Sequence, residues 1–175
     1  FLNGDKKIFF TDIQIKTFLK VVLISIIILS IFLILNNSAE FNFRSILFNI
    51  ISILTGTGYV NDQFDNWGGF PIILFIILMF IGGCAGSTTC GIKIFRIQIL
   101  YSFFVNQIRK IIYPKGIFVL KYDQNPVDDK FIASIISFIY LYLVIFFVIT
   151  ALLSLSGLDF ITSISGAATS ISNVG

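Results

Sequence analysis

Apolar residues fall into three long blocks along the chain, with polar and charged residues gathered between them. The first block, Phe18 to Leu35, is interrupted only by Lys20 and two serines. With its flanks it reaches the ~20 residues that cross ~30 Å of hydrocarbon. The second, Phe70 to Ile81, passes into small residues and runs on to about Ile94; the third, Phe131 to Leu155, carries no charge. Backbone groups in hydrocarbon must bond within their own segment, so all three blocks predict helices.

Two shorter stretches differ. Phe43 to Leu54, about 12 residues, is too short to cross a membrane and too apolar for an ordinary loop, which predicts a core or re-entrant helix. Thr55-Gly56-Thr57-Gly58-Tyr59 ends it. The same arrangement follows the third block, where Phe160 to Ile171 leads into Ser172-Asn173-Val174-Gly175. An offset of 117 residues lays Phe43 on Phe160, Ser45 on Thr162, Ser52 on Thr169, Thr55 on Ser172 and Gly58 on Gly175. It also lays Phe18–Leu35 on Ile135–Leu152. Identity is low, but apolar, small and glycine positions coincide, as expected of repeated units around a membrane path.

Charge sets the topology. Lys6, Lys7, Lys16 and Lys20 precede the first block, and Lys93, Arg96, Arg109, Lys110, Lys115, Lys121 and Lys130 lie between the second and third. Only Arg44 lies between the first and second, beside Glu40, Asp62 and Asp65. Lysine-rich flanks stay cytoplasmic, so the acidic connection is outside. The chain then crosses an even number of times between Lys20 and Lys93, which makes Phe43–Leu54 a hairpin entered from outside. Four segments follow: a cytoplasmic juxtamembrane stretch at 1–16, a helix–loop–broken helix unit at 17–92, an inner helix end and cytoplasmic connection at 93–130, and a truncated second unit at 131–175. The start at Phe1 and the stop at Gly175 read as cuts in a longer chain.

Composition narrows the chemistry. Hydrophobic residues are 57% and charged residues 12%, half the charge of an ordinary soluble domain, so lipid must solvate part of the chain. Histidine is absent, and the spans hold no Asp or Glu, which argues against an intramembrane enzyme. No basic, aromatic-interleaved stripe on a soluble domain points to nucleic acid. Cys84 and Cys90 do not match zinc spacing and are expected to be small buried thiols.

Two segments carry candidate chemistry. A re-entrant helix after which Gly56, Thr57 and Gly58 follow would aim its negative end and free carbonyls into the membrane. Carbonyls in that posture replace the hydration shell of a cation, and no charged side chain lies between Ser45 and Asn61. The alternative is a plain turn into an outer loop; the matching Gly175 favours the first. The other segment is Gly82-Gly83-Cys84-Ala85-Gly86-Ser87-Thr88-Thr89-Cys90-Gly91, a run of small and hydroxyl residues that should break the second helix. Close helix packing through Gly82 and Gly86 and a flexible loop on the path itself both fit, the loop better. Lys93 either snorkels to the inner membrane edge or tunes cation flow.

Thr55-Gly56-Thr57-Gly58-Tyr59, the stretch Phe80 to Thr88, Gly91-Ile92-Lys93 with Arg96, and Asn173-Val174-Gly175 together resemble the membrane subunit of Trk-type potassium uptake systems in the Trk/Ktr/HKT superfamily. The resemblance covers nearly the whole chain, and Gly82 to Thr88 is its most specific part. It implies an all-α membrane protein of helix–re-entrant pore loop–helix repeats around a central cation pore. This chain would be the third repeat and the first half of the fourth. Gly58 and Gly175 would be filter glycines, with potassium held by carbonyls of Gly56, Thr57, Gly58, Asn173, Val174 and Gly175. Gly82, Gly83, Gly86, Ser87, Thr88, Gly91 and Lys93 would belong to a gating loop beneath them. The resemblance further implies an inner-membrane homodimer with a cytosolic nucleotide-binding regulatory subunit, potassium as the transported ion, and no covalently bound cofactor. This chain departs from the family pattern at Gly56, where Thr is common, and at Thr89-Cys90, where glycines are common. A sodium-coupled transporter and a membrane scaffold are the competing readings.

The topology makes a test. In a cysteine-free version of the full-length protein, cysteines placed at Asn61 and at Gln124 are expected to react with an impermeant maleimide from opposite sides, Asn61 from outside. Labelling of both from one side would refute the hairpin.

Overall fold

The computed structural model describes residues 12–36, 42–61, 67–116, 118–123 and 125–174. Lys6, Lys7, Glu40, Asp62, Asp65, Gln124 and Gly175 lie outside these. Among the described residues six helices run in the order α1 (Ile13–Leu35), α2 (Phe43–Thr55), α3 (Gly69–Phe80), α4 (Ile94–Ile112), α5 (Asp129–Leu155) and α6 (Phe160–Ser172). Between α4 and α5, β1 (Lys121–Tyr122) pairs antiparallel with β2 (Asn125–Pro126). Sequence patterning did not predict this hairpin, because two-residue strands carry no readable period.

Among the described residues, α1 and α5 are the two helices long and apolar enough to cross a membrane. At ~1.5 Å per residue they are about 34 and 40 Å long. Each begins at an aspartate, Asp12 or Asp128; the Asp12 carboxylate accepts from the Gln14 backbone N–H at 2.8 Å. Their outward faces are apolar, with Leu23, Ile27, Ile31 and Ile34 of α1 and Leu141, Phe147, Val148 and Leu152 of α5 exposed. That is the surface a helix presents to hydrocarbon.

The expected second span is two helices rather than one. α3 ends at Phe80, the chain leaves helical conformation through Ile81–Lys93, and α4 begins at Ile94. The small-residue run causes the break: glycines gain little from helix formation and lose most conformational freedom by it.

α2 and α6 match in form. Both have 13 residues, and both begin after an Asn or Asp, Asn42 or Asp159, which the offset of 117 superposes. The Asn42 side chain accepts from Arg44 N at 3.1 Å. The Asp159 carboxylate accepts from the Thr162 hydroxyl, and that bond holds its carboxyl below the usual carboxylate range. Both helices end at a left-handed residue, Gly56 or Asn173.

The core explains how two half-sized helices are held. Ile46, Ile50, Ile53 and Leu54 of α2 are buried against Ile26, Leu29 and Leu33 of α1 and Phe75 and Leu78 of α3. α3 serves the second unit as well: its Ile76, Met79 and Phe80 pack on a cluster of Phe146, Ala167 and Ala168 from α5 and α6. The Phe80 ring meets Phe146 edge-on at 5.0 Å and Tyr142 at 5.9 Å. The two alanines permit this approach; on α6 a larger side chain there would push α3 away. A third cluster joins Ile99 of α4 to Ile132 and Ile135 of α5 and to Leu120 before the hairpin.

Candidate functional site

The turn after α2 is built on one carbonyl. Ser52 O accepts from Thr57 N at 3.0 Å, Gly58 N at 3.4 Å and the Thr57 hydroxyl at 3.2 Å. The Ser52 hydroxyl adds a bond to Thr57 Oγ1 at 3.1 Å. This uses up the N–H groups of the turn. Gly56 and Gly58 both take positive φ, +73° and +72°, which is what tightens the chain after the helix. Among the described residues, no donor reaches the carbonyls of Gly56, Thr57 or Gly58.

The turn after α6 repeats the design. Val174 N donates to Thr169 O at 3.2 Å, the counterpart of Thr57 N to Ser52 O at the same offset of 117. Asn173, at φ +50°, stands where Gly56 stands in the first turn; asparagine is one of the few side chains that tolerate this region. No donor among the described residues reaches the carbonyls of Asn173 or Val174. Two helix C-termini, each the negative end of a dipole, thus present free carbonyls with no basic residue on the helix's last turn.

The break in the second span is an ordered loop. Ile81 and Ile92 form a parallel bridge, with Gly82 N bonded to Ile92 O and Ile92 N to Phe80 O, both at 2.9 Å. This closes the neck, and glycine is needed there: a Cβ on Gly82 would sit 2.7 Å from the Cys90 carbonyl oxygen. A Cβ on Gly91, at φ +87°, would sit 3.2 Å from Phe80 O. Inside the loop, Thr89 Oγ1 accepts from Gly83 N at 2.8 Å and bonds to Ser87 Oγ at 2.8 Å, and Ser87 Oγ donates to Cys84 O at 2.7 Å. The Lys93 ammonium folds back onto the loop and donates to Ser87 O at 2.5 Å and Ser87 Oγ at 3.2 Å. Its charge is therefore engaged by the loop instead of reaching away along the helix. Thr88 is exposed.

The loop lies against the first turn. A Cβ on Gly56 would contact Thr89 Cγ2 at 3.7 Å. On its other side the loop borders an open cleft of about 530 Å³, shared with Lys93, Arg96, Phe138, Tyr142 and Ile171. Arg96 stacks over the Phe138 ring, 3.8 Å from its centroid. Cys90 is exposed on this cleft and Cys84 is half-buried, both as free thiols. The expectation of two buried thiols is corrected: opening the helix into a loop turns Cys90 outward.

Three features escape sequence patterning. Asn49, buried on α2, accepts from Asn61 N at 3.3 Å and so ties the segment after the turn back to the helix. Tyr142 of α5 shares a hydrogen bond of 3.1 Å with Ser172, the last residue of α6. Gln14 Oε1 accepts from Ala85 N at 2.8 Å, while Gln98 donates to the Thr17 hydroxyl at 2.6 Å and accepts from the Tyr122 hydroxyl at 2.9 Å. The hairpin, the start of α1 and the loop are thereby in contact. The only sequence signal was an isolated polar residue in an otherwise apolar stretch.

The family model described as TrkH, cation transport protein, matches residues 5–175. The chain belongs to the TrkH cation transport protein family. It is 35% identical over its full length to the Trk system potassium uptake protein TrkI of Halomonas elongata, and 24% identical over 97% of its length to the Trk system potassium uptake protein TrkH of Escherichia coli. It spans 36% of each of those relatives. The crystal structure of the potassium transporter TrkH from Vibrio parahaemolyticus superposes with a TM-score of 0.88 at 25% identity, over 97% of this chain and 37% of that one.

The packing of the loop is testable in a full-length protein with Cys84→Ser. Gly82→Ala forces the neck apart, whereas Gly86→Ala adds a methyl in open space and pays only ~1–2 kcal/mol for its left-handed backbone. The rate of Cys90 labelling by a soluble maleimide is expected to change severalfold in Gly82→Ala and much less in Gly86→Ala. Equal rates in both variants would mean that the Ile81–Ile92 neck does not hold the loop.

Proposed function

We propose that this chain forms the third helix–pore loop–helix repeat, at 17–92, and the first half of the fourth, at 131–175, of a potassium-translocating subunit in the inner membrane. Carbonyls of Gly56, Thr57 and Gly58, with those of Asn173, Val174 and Gly175, take the place of water around a dehydrated potassium ion. Gly175 lies outside the described residues and enters through its alignment with Gly58. The loop formed by Gly82, Gly83, Gly86, Ser87, Thr88 and Gly91, with Lys93 bonded to it, gates the path below the first turn. The whole protein works as a homodimer with a cytosolic nucleotide-binding regulatory subunit, and 93–130 faces the cytoplasm.

One observation carries this reading. Two helix ends related by an offset of 117 residues each leave carbonyls without donors, in a segment with no charge of its own. Unsatisfied backbone at membrane depth is costly unless something replaces the missing donor, and a cation does. The potassium named for the relatives in Halomonas elongata and Vibrio parahaemolyticus agrees with a monovalent ion on neutral carbonyls. The lack of a charged side chain argues against a divalent ion.

The test compares two substitutions in the full-length protein. Gly58→Ser puts a side chain on a backbone at φ +72°, at about 1–2 kcal/mol, and crowds the carbonyls. Since ~1.4 kcal/mol is a tenfold change in preference, potassium over sodium discrimination should fall severalfold. Ser52→Ala removes only the hydroxyl bond to Thr57 and leaves the Ser52 carbonyl in place, so its effect should be much smaller. Competitive rubidium uptake at matched protein levels reads both. Unchanged discrimination in a folded Gly58→Ser protein would make this segment a surface turn.

A further inference from the structure

α4 extends past the elements that hold it. Ile99 packs against Ile132 and Ile135, which lie within about two turns of the charged start of α5 at Asp128, Asp129 and Lys130. On the topology proposed above, that start lies at the cytoplasmic edge of the hydrocarbon, because charged residues at a span's end sit among the headgroups. Beyond Ile99, about 20 Å of α4 remains, at and past the headgroup level. Yet this part is not simply polar. Tyr101, Phe104, Ile108 and Ile111 recur at helical spacing and are each more than half exposed. An apolar stripe beside basic residues at this depth is the pattern of a helix lying in the interface.

The basic residues are also gathered. A hollow of about 270 Å³ is lined by Arg109 of α4 and Lys121 of β1, together with Tyr101, Ser102 and Asn106. Arg109 alone is explained by its place in the last turn of α4, where a cation favours the helix dipole. Lys121 comes from a different segment and has no such reason to be there. Among the described residues neither cation has an ion pair or a side-chain hydrogen bond. Asp123, Asp128 and Asp129 do not line the hollow. Beside the end of α4, Ile112, Tyr113, Pro114, Lys115, Gly116 and Phe118 line a second hollow of about 560 Å³.

We propose that Arg109 and Lys121 form a binding site for the phosphate headgroup of an anionic phospholipid of the cytoplasmic leaflet, beside the exposed stripe of α4. Two cations with no ion pair among the described residues supply the charge complement. Tyr101, Ser102 and Asn106 supply neutral donors for the remaining phosphate and glycerol oxygens. A basic hollow between elements on the cytoplasmic side is how membrane proteins hold such headgroups.

The experiment uses the purified full-length protein equilibrated with phosphatidylglycerol and phosphatidylcholine in equal amounts, with retained lipid counted by native mass spectrometry. The wild type is expected to retain phosphatidylglycerol in preference. Arg109→Gln with Lys121→Gln should lower phosphatidylglycerol retention at least threefold and leave phosphatidylcholine unchanged, while Arg109→Lys with Lys121→Arg should retain the wild-type preference. Inorganic phosphate in excess should not displace the lipid. Equal retention by the neutral pair and the wild type would overturn the proposal. So would displacement by inorganic phosphate, or loss of a second copy or of a protein subunit from the neutral pair with lipid unchanged. The count needs no ion transport, so it stands or falls independently of the potassium reading.

Discussion

A backbone carbonyl without a donor in a water-free medium costs several kcal/mol, and the turns after α2 and α6 are arranged around such carbonyls. α1 and α5 avoid the cost by running as unbroken helices. α2 and α6 incur it deliberately at their C-termini. Gly56 and Asn173 turn the chain into the left-handed region, the N–H groups fold back onto Ser52 O and Thr169 O, and the next carbonyls are left open. Because both turns spend their donors in the same way, the open carbonyls are a repeated feature and not a local accident.

Holding such a turn at depth needs a rigid surround, and α3 supplies it for both units. One face of α3 buries Phe75 and Leu78 with α2, and its end buries Met79 and Phe80 with α6. Where α3 stops, the Ile81–Ile92 bridge fixes the loop beside the first turn, where a Cβ on Gly56 would meet the Thr89 methyl at 3.7 Å. Lys93, just before α4, and Gln14 of α1 then hold the loop through hydrogen bonds to Ser87 and Ala85.

Much of this was legible in the residues, for stated reasons. Helix boundaries followed from apolar run length and from the glycine-bearing stretch that ends Phe43–Leu54, whereas the starts at Asn42 and Asp159 were not read from the sequence. The offset of 117 was visible in apolar and small positions, and the hydrogen bonds reproduce it. The break at Gly82–Gly91 followed from glycine content. What was illegible depends on residues far apart in the chain: Asn49 with Asn61, Tyr142 with Ser172, Gln98 with Thr17 and Tyr122. A polar side chain in an apolar run announces that it must have a partner, but not which one. Cys90 was misjudged for a related reason, since burial there depends on the path of the loop and not on residue type.

The central claim is that the turns after Ser52 and after Thr169 coordinate one potassium ion between them with backbone oxygen. The most direct measurement is the anomalous scattering of rubidium in crystals of the full-length protein. The account predicts a peak on the pore axis within coordination distance of the carbonyls that follow both α2 and α6, and loss of that peak in Gly58→Ser. A peak coordinated by side chains elsewhere, or a persistent peak in the variant, would contradict it.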